Sequence, residues 1–90
     1  MKKEVVHLFK ALSNPKRLEI IELLLRKKEL PLEKISQKIR LSYKSTSKHL
    51  LLLESRGIVI RKQKSLRAFY GINEDRKICL VNILEKAKKI

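Results

Sequence analysis

The chain holds 90 residues, 43% of them apolar and 36% charged, and its formal net charge is +14. A chain this short forms one domain, here residues 1–90, and buries roughly 60–65% of its unfolded surface, so a second copy is a natural source of further burial. The charge points to a polyanionic partner, while the lack of a long apolar run or an aromatic-anchored amphipathic helix excludes a membrane reading.

The charge is unevenly placed. Residues 31–70 carry 10 basic and 2 acidic side chains, net +8, against net +4 for residues 1–30 and +2 for residues 71–90. Cys79 stands alone, so no intrachain disulfide forms and a reducing compartment is expected. The opening Met1–His7 lacks the apolar core and cleavage site of a secretory signal, which predicts a cytoplasmic, nucleoid-associated protein.

The first predicted helix runs from about Lys3 to Leu12, with Val5, Leu8, Phe9 and Leu12 spaced for one face. Ser13-Asn14-Pro15 stops it and starts the next: Asn14 can cap orphan amides, and Pro15 fits the first helical position. The second helix turns Leu18, Ile21, Leu24 and Leu25 inward and ends near Lys27 in a basic run suited to the negative end of the dipole. Pro31 opens a short third helix with Leu32, Ile35 and Ile39 inward. Arg40-Leu41-Ser42 is a tight connection, and Ser42 is the expected N-cap of a fourth helix.

That fourth helix is the most informative stretch. Thr46, Leu50 and Leu53 recur at i, i+4 and i+7 and can bury one stripe, leaving Lys44, Ser45, Ser47 and Lys48 facing outward. Short hydroxyls beside positive charge suit a helix lying in a DNA major groove; a solvated polar face is the plainer reading of the same stripe. Gly57 ends the helix in the left-handed conformation. The period then changes to two: Ile58–Lys62 and Arg67–Ile72 read as strands around a basic tip, Gln63-Lys64-Ser65-Leu66. Phe69 and Tyr70 alternate sides, so at least one belongs in the core. A last helix from Glu74 to about Lys88, capped by Asn73, carries Leu80, Ile83, Leu84 and Ala87 on one side. The fold class is therefore mainly α with a small β-hairpin, in the order of four helices, hairpin and fifth helix. A three-residue turn between the third and fourth helices, followed by a hairpin, makes a winged helix-turn-helix.

From Ala11-Leu12-Ser13-Asn14-Pro15-Lys16-Arg17-Leu18-Glu19-Ile20-Ile21, through Ile35–Ile39 and Leu41-Ser42, to Ser47-Lys48-His49-Leu50, Leu53, Gly57-Ile58-Val59 and Phe69-Tyr70, the chain resembles the ArsR/SmtB-type winged-helix repressors. The resemblance spans nearly the whole chain and implies a DNA-binding transcriptional regulator, working as a homodimer and most simply a repressor. Two departures stand out. Metal-sensing members typically have Glu-Leu-Cys-Val-Cys-Asp-Leu in the third helix, where this chain has Glu29-Leu30-Pro31-Leu32-Glu33-Lys34-Ile35, and the last helix has no histidine. The resemblance thus implies no metal and no cofactor. Arg40 stands where the family often has Gly, which implies turn strain, and Leu51 falls where it usually carries a polar residue.

The candidate DNA-binding residues are Ser42, Tyr43, Lys44, Ser45, Ser47, Lys48 and His49 on the fourth helix, and Arg61, Lys62, Lys64 and Arg67 on the wing. Ser42 can cap an amide or help meet a phosphate. Lys44 and Lys48 can reach a guanine edge or the backbone, and His49 can lie near DNA or pack against a backbone carbonyl. Wing cations can follow a minor groove or merely protect a sheet edge. Arg17 more often braces neighbouring helices than touches DNA. Cys79 is expected as a small core residue, with a redox switch as the alternative. Val5, Leu8, Phe9, Leu80, Ile83, Leu84 and Ala87 are the expected dimer seam. Two histidines, no glycine-rich phosphate loop and no paired acids in a cleft-forming context give no basis for an enzyme. The second functional reading is a winged-helix interaction or architectural module of a larger transcription or chromatin assembly.

Overall fold

The computed structural model describes residues 2–89. In chain order they form α1 (Lys3–Leu12), α2 (Pro15–Arg26), β1 (Leu30–Pro31), α3 (Leu32–Ile39), α4 (Tyr43–Ser55), β2 (Val59–Lys64), β3 (Arg67–Ile72) and α5 (Glu74–Ala87). The caps follow from local chemistry. Asn14 Oδ1 accepts from the amides of Lys16 and Arg17, Ser42 Oγ from Ser45, and Asn73 Oδ1 from Asp75, each satisfying donors that a helix start leaves free.

α3 and α4 end alike. Leu41 N–H donates to Ser36 O and Ile58 N–H to Leu53 O, closing each helix through one left-handed residue. In α4 that residue is Gly57, at φ 72°, where glycine costs nothing. In α3 it is Arg40, at φ 55°, where a side chain costs about 1–2 kcal/mol. The turn strain implied by the family resemblance is present.

The sheet is larger than the hairpin read from the sequence. A two-residue strand, β1, pairs antiparallel with β3 through Leu30↔Tyr70 and Pro31↔Phe69, giving the order β1-β3-β2. Two residues without alternation leave no periodic signal, and a proline reads as a break, yet an edge strand tolerates it. Pro31 therefore precedes α3 as its N-cap and does not open it. The wing turn is also tighter than expected. Ladder pairing continues to Lys64↔Arg67, leaving Ser65 and Leu66 as a two-residue turn, with Ser65 at φ 58° and no positive φ at Leu66. That is the pattern of a II′ hairpin, so Lys64 belongs to a strand and not to the tip. Gly71 is required by packing: a Cβ there would stand 2.9 Å from the carbonyl oxygen of Lys28.

One core joins the elements. Ile20, Ile21 and Leu24 of α2, Ile35 and Ile39 of α3, Leu50 and Leu53 of α4, and Ile58, Val59 and Tyr70 from the wing side are all buried in it. Burial of each large aliphatic side chain is worth about 1.5–3 kcal/mol, and no buried side-chain polar atom lacks a partner among the described residues. Tyr70, not Phe69, is the fully inward aromatic.

Two expectations fail on α5. Leu80 is only 2% exposed and packs inside its own protomer, so it is not available to a dimer seam. Its inner stripe continues through Ile83 and Leu84, half-buried against the core, while Ala87 is exposed. Cys79, expected in the core, is exposed because the helix turns it one position away from Leu80. On the outer stripe, Ile78 is 78% exposed and Val81 is exposed beside it, a signal the inward pattern of Leu80 had masked. In α1, Val5 and Leu8 are half-buried and Phe9 is exposed.

Candidate nucleic-acid interface

The buried stripe of α4 fixes what its other side presents. With Thr46, Leu50 and Leu53 in the core, Tyr43, Lys44, Ser47, Lys48 and Leu51 all point to solvent. Thr46 sits in that core without penalty because its Oγ1 donates to Ser42 O at 2.8 Å. Ser42 is exposed but its Oγ is occupied as a cap, and Ser45 is half-buried behind it. Lys44 and Lys48, one turn apart, have no ion-pair partner among the described residues. Their charge is available to a polyanion.

Behind α4, two adjacent cations at the start of α2 act as structural braces. Lys16 Nζ donates to Ile39 O at 2.6 Å, satisfying a carbonyl at the end of α3, and also pairs with Glu19 at 3.1 Å. Arg17 Nε donates to Ala11 O at 2.6 Å and its Nη2 to Lys10 O at 3.2 Å, closing the end of α1. The remaining guanidinium nitrogen lies 3.5 Å from His49 Nδ1. His49 is thus half-buried against a guanidinium and not tied to a backbone carbonyl. Burial and, secondarily, the Arg17 charge hold its pKa below the ordinary 6.5, so the ring is neutral at neutral pH.

The wing behaves differently. On its outer face, Lys62, Lys64, Arg67 and Phe69 share one side of the β2–β3 ladder. Lys64 forms an ion pair with Glu29, Lys62 approaches the same carboxylate at 3.9 Å, and Arg67 pairs with Glu33 at the start of α3. Lys64 and Arg67 also flank the Phe69 ring, 5.3 and 5.5 Å from its centroid. The hydrogen bond from Lys64, aided by the charges of Lys64, Lys62 and Lys28, holds the Glu29 carboxyl below its usual range. Glu33 is lowered first by a hydrogen bond from its own backbone amide and then by Arg67. These acids lie more than 30 residues before their partners, so no local pattern could have paired them. Only Arg61 of the four wing cations lies on the inner face, where its Nη2 donates to Gln63 Oε1 at 2.9 Å.

Between α4 and the wing lies an open cleft of about 420 Å³, bordered by Tyr43, Ser47, Leu51, Arg61 and Leu66. Among the described residues, no cluster of three His, Cys, Asp or Glu side chains is arranged to hold a metal ion. Nor, among the described residues, is any helix long and apolar enough to cross a membrane.

No protein-family model matches the chain. Individual proteins do. The transcriptional activator HlyU of Vibrio cholerae is 29% identical over 83 residues, covering 92% of this chain and 76% of that protein. The solved structure of reduced HlyU superposes with a TM-score of 0.78 at 30% identity, covering 89% of this chain and 84% of HlyU. A homodimeric winged helix-turn-helix DNA-binding domain from Mycobacterium bovis, described as a possible ArsR-family regulator, gives a TM-score of 0.85 at 27% identity over 96% of this chain and 79% of that one. The chain belongs to the ArsR-type winged helix-turn-helix transcriptional regulators. The repressor PagR of Bacillus anthracis is similar as well, with a TM-score of 0.79 at 26% identity over 91% of this chain and 93% of its own.

Within that family frame, the segment Glu29–Ile35 has a distinct use here. Pro31, at the first thiolate position of metal-sensing members, is a buried strand residue, and Glu33, at the second, pairs with Arg67. Ion pairs from this segment, Lys64–Glu29 and Arg67–Glu33, tie the wing to the chain around β1 and α3.

Proposed function

We propose that the chain binds duplex DNA sequence-specifically as a homodimer and represses transcription by occupying a promoter, without responding to thiophilic metals. The observation that carries this reading is the solvent face of α4, where Lys44, Ser47 and Lys48 stand exposed, the lysines without ion-pair partners among the described residues, on a helix anchored by its buried stripe. Such a face offers hydrogen bonds to base edges and charge to phosphates, and the wing beside it is placed to meet a flanking minor groove. Ser42, Tyr43, Ser45 and His49 border that face; of the wing cations, Arg61 projects from the inner side of the hairpin and Lys62, Lys64 and Arg67 from the outer side, where phosphates flanking the groove would meet them. The dimer seam is assigned to α1 and α5, through Phe9, Val5 and Leu8 with Ile78 and Val81 and the half-buried Ile83 and Leu84, Leu80 being excluded by its burial. A two-fold dimer sets its reading helices about 34–36 Å apart, so the operator is an imperfect palindrome.

Relatives include both an activator and a repressor by name. Occupancy needs no surface beyond the DNA-binding one, which favours repression here. Metal independence is supported by the ion-paired Glu29 and Glu33 at the segment that carries thiolates in metal sensors. The test is a duplex selected from a random pool by the purified chain and placed across a promoter. Transcription in vitro should fall as the operator fills, and zinc, cadmium or arsenite should change affinity by no more than about twofold, roughly 0.4 kcal/mol. Rising transcription would overturn repression, and a chelator-reversible tenfold loss of binding would overturn metal independence.

A further inference from the structure

We infer that Leu51 is a specificity-determining residue that reads the 5-methyl group of a thymine in the major groove; this rests on the DNA-binding reading above. Leu51 is 67% exposed on a helix whose other leucines at positions 50 and 53 are fully buried. It stands one turn beyond Ser47 and Lys48, on the same solvent side as Lys44. An apolar side chain in the row that faces a polyanion gains nothing from phosphates. Base edges in the major groove offer only one comparable apolar group, the thymine methyl, and apolar contact with it is a recognised means of discrimination.

The flanking chemistry selects this occupant over a protein surface. Lys44 and Lys48, toward the helix start, have no acidic partner among the described residues and make that end of the row positive, while Glu33 and Glu54 line the cleft with Leu51. Tyr43, also exposed, lies two turns nearer the helix start and frames the other end of the row. Seven residues separate Lys44 from Leu51, roughly 10 Å along the helix axis. Where the helix follows the groove, the thymine sits about three base steps from the pair or phosphate met by Lys44, at 3.4 Å per step.

The experiment replaces each thymine of the selected operator, one at a time, by deoxyuridine, which keeps every hydrogen-bonding group and removes only the methyl. One or two positions per half-site should then bind the wild-type chain roughly fourfold more weakly, the weight of about one buried methylene. Leu51→Ala, at an exposed position, should keep the fold, bind the thymine operator more weakly, and lose its sensitivity to uracil at those positions. Equal sensitivity of the wild type and Leu51→Ala, or no sensitivity of the wild type at any thymine, overturns the inference. So does a Leu51→Ala protein that binds the operator normally but changes its sedimentation, which marks the leucine as a protein contact. Duplex binding without any sequence preference defeats thymine reading and leaves duplex affinity standing. Absence of duplex affinity at low salt defeats the DNA-binding reading itself.

Discussion

The two basic regions of this molecule, α4 and the wing, look alike in composition and differ in how their charges are held. On α4, Lys44 and Lys48 are exposed and without ion-pair partners among the described residues. On the wing, Lys62 and Lys64 share Glu29, and Arg67 is paired with Glu33. A local charge count therefore overstates the wing and represents α4 faithfully. Lys62, Lys64 and Arg67 link the hairpin to Glu29, just before β1, and to Glu33 of α3, and a phosphate must compete with those carboxylates for them.

The largest effect that follows is on α4. Replacing Lys44 and Lys48 together by alanine removes four charges from the proposed dimer. It should flatten the slope of log affinity against log salt by up to roughly 3.6, at about 0.9 per phosphate neutralised. Titrations of wild type and double variant across a salt series measure this directly. An unchanged slope would break the contrast, by showing that the free lysines do not meet the backbone.

A smaller effect sharpens the same contrast from the other side. Glu29→Gln releases Lys62 and Lys64 while keeping the shape of the side chain. Duplex affinity should rise by no more than a few-fold, because exposed ion pairs hold their charges weakly, and the salt slope should steepen. The single variants Lys62→Ala and Lys64→Ala should each lose less affinity than Lys44→Ala or Lys48→Ala. Weaker binding by Glu29→Gln would mean that the ion pair positions the wing for DNA and does not restrain it.

The smallest effect concerns His49, behind the reading face. Its folded pKa lies below 6.5, through burial first and the Arg17 charge second. Between the folded value and 6.5 the unfolded chain binds more protons, so stability rises with pH across that window. The contribution is complete above about pH 6.5 and is lost as pH falls through the folded pKa. Thermal melts should therefore show the wild type losing stability relative to His49→Gln as pH drops from 7 to 5. Parallel curves from pH 7 to 5 would show that the ring is not held neutral.

Much of this fold was legible in the chain because its information is local. Asn14, Ser42 and Asn73 announce helix starts through their own side-chain oxygens, and Gly57 announces an end through its permitted φ. The stripe of Thr46, Leu50 and Leu53 announces its burial through helical period. Those signals act within a few residues, and the elements they mark formed as expected. β1 was not legible, since Leu30-Pro31 is too short to alternate and extends only because β3 offers a partner some 40 residues later. The wing turn depended on Ser65 accepting a left-handed φ, which serine seldom does and which only the pairing of its strands enforces.

The sequence by itself determined the order of helices and hairpin, the identity of the core stripes and the outward face of α4, because periodicity and capping are short-range properties of the backbone. Tertiary structure alone decided which cations are free. It sent Lys16 and Arg17 to the carbonyls of α3 and α1, and Lys62, Lys64 and Arg67 to Glu29 and Glu33. It also sent Leu80 inward and left Ile78 and Leu51 outside. Charge pairing and burial depend on which residues the folded chain brings within a few ångströms, and no window along the sequence contains that distance.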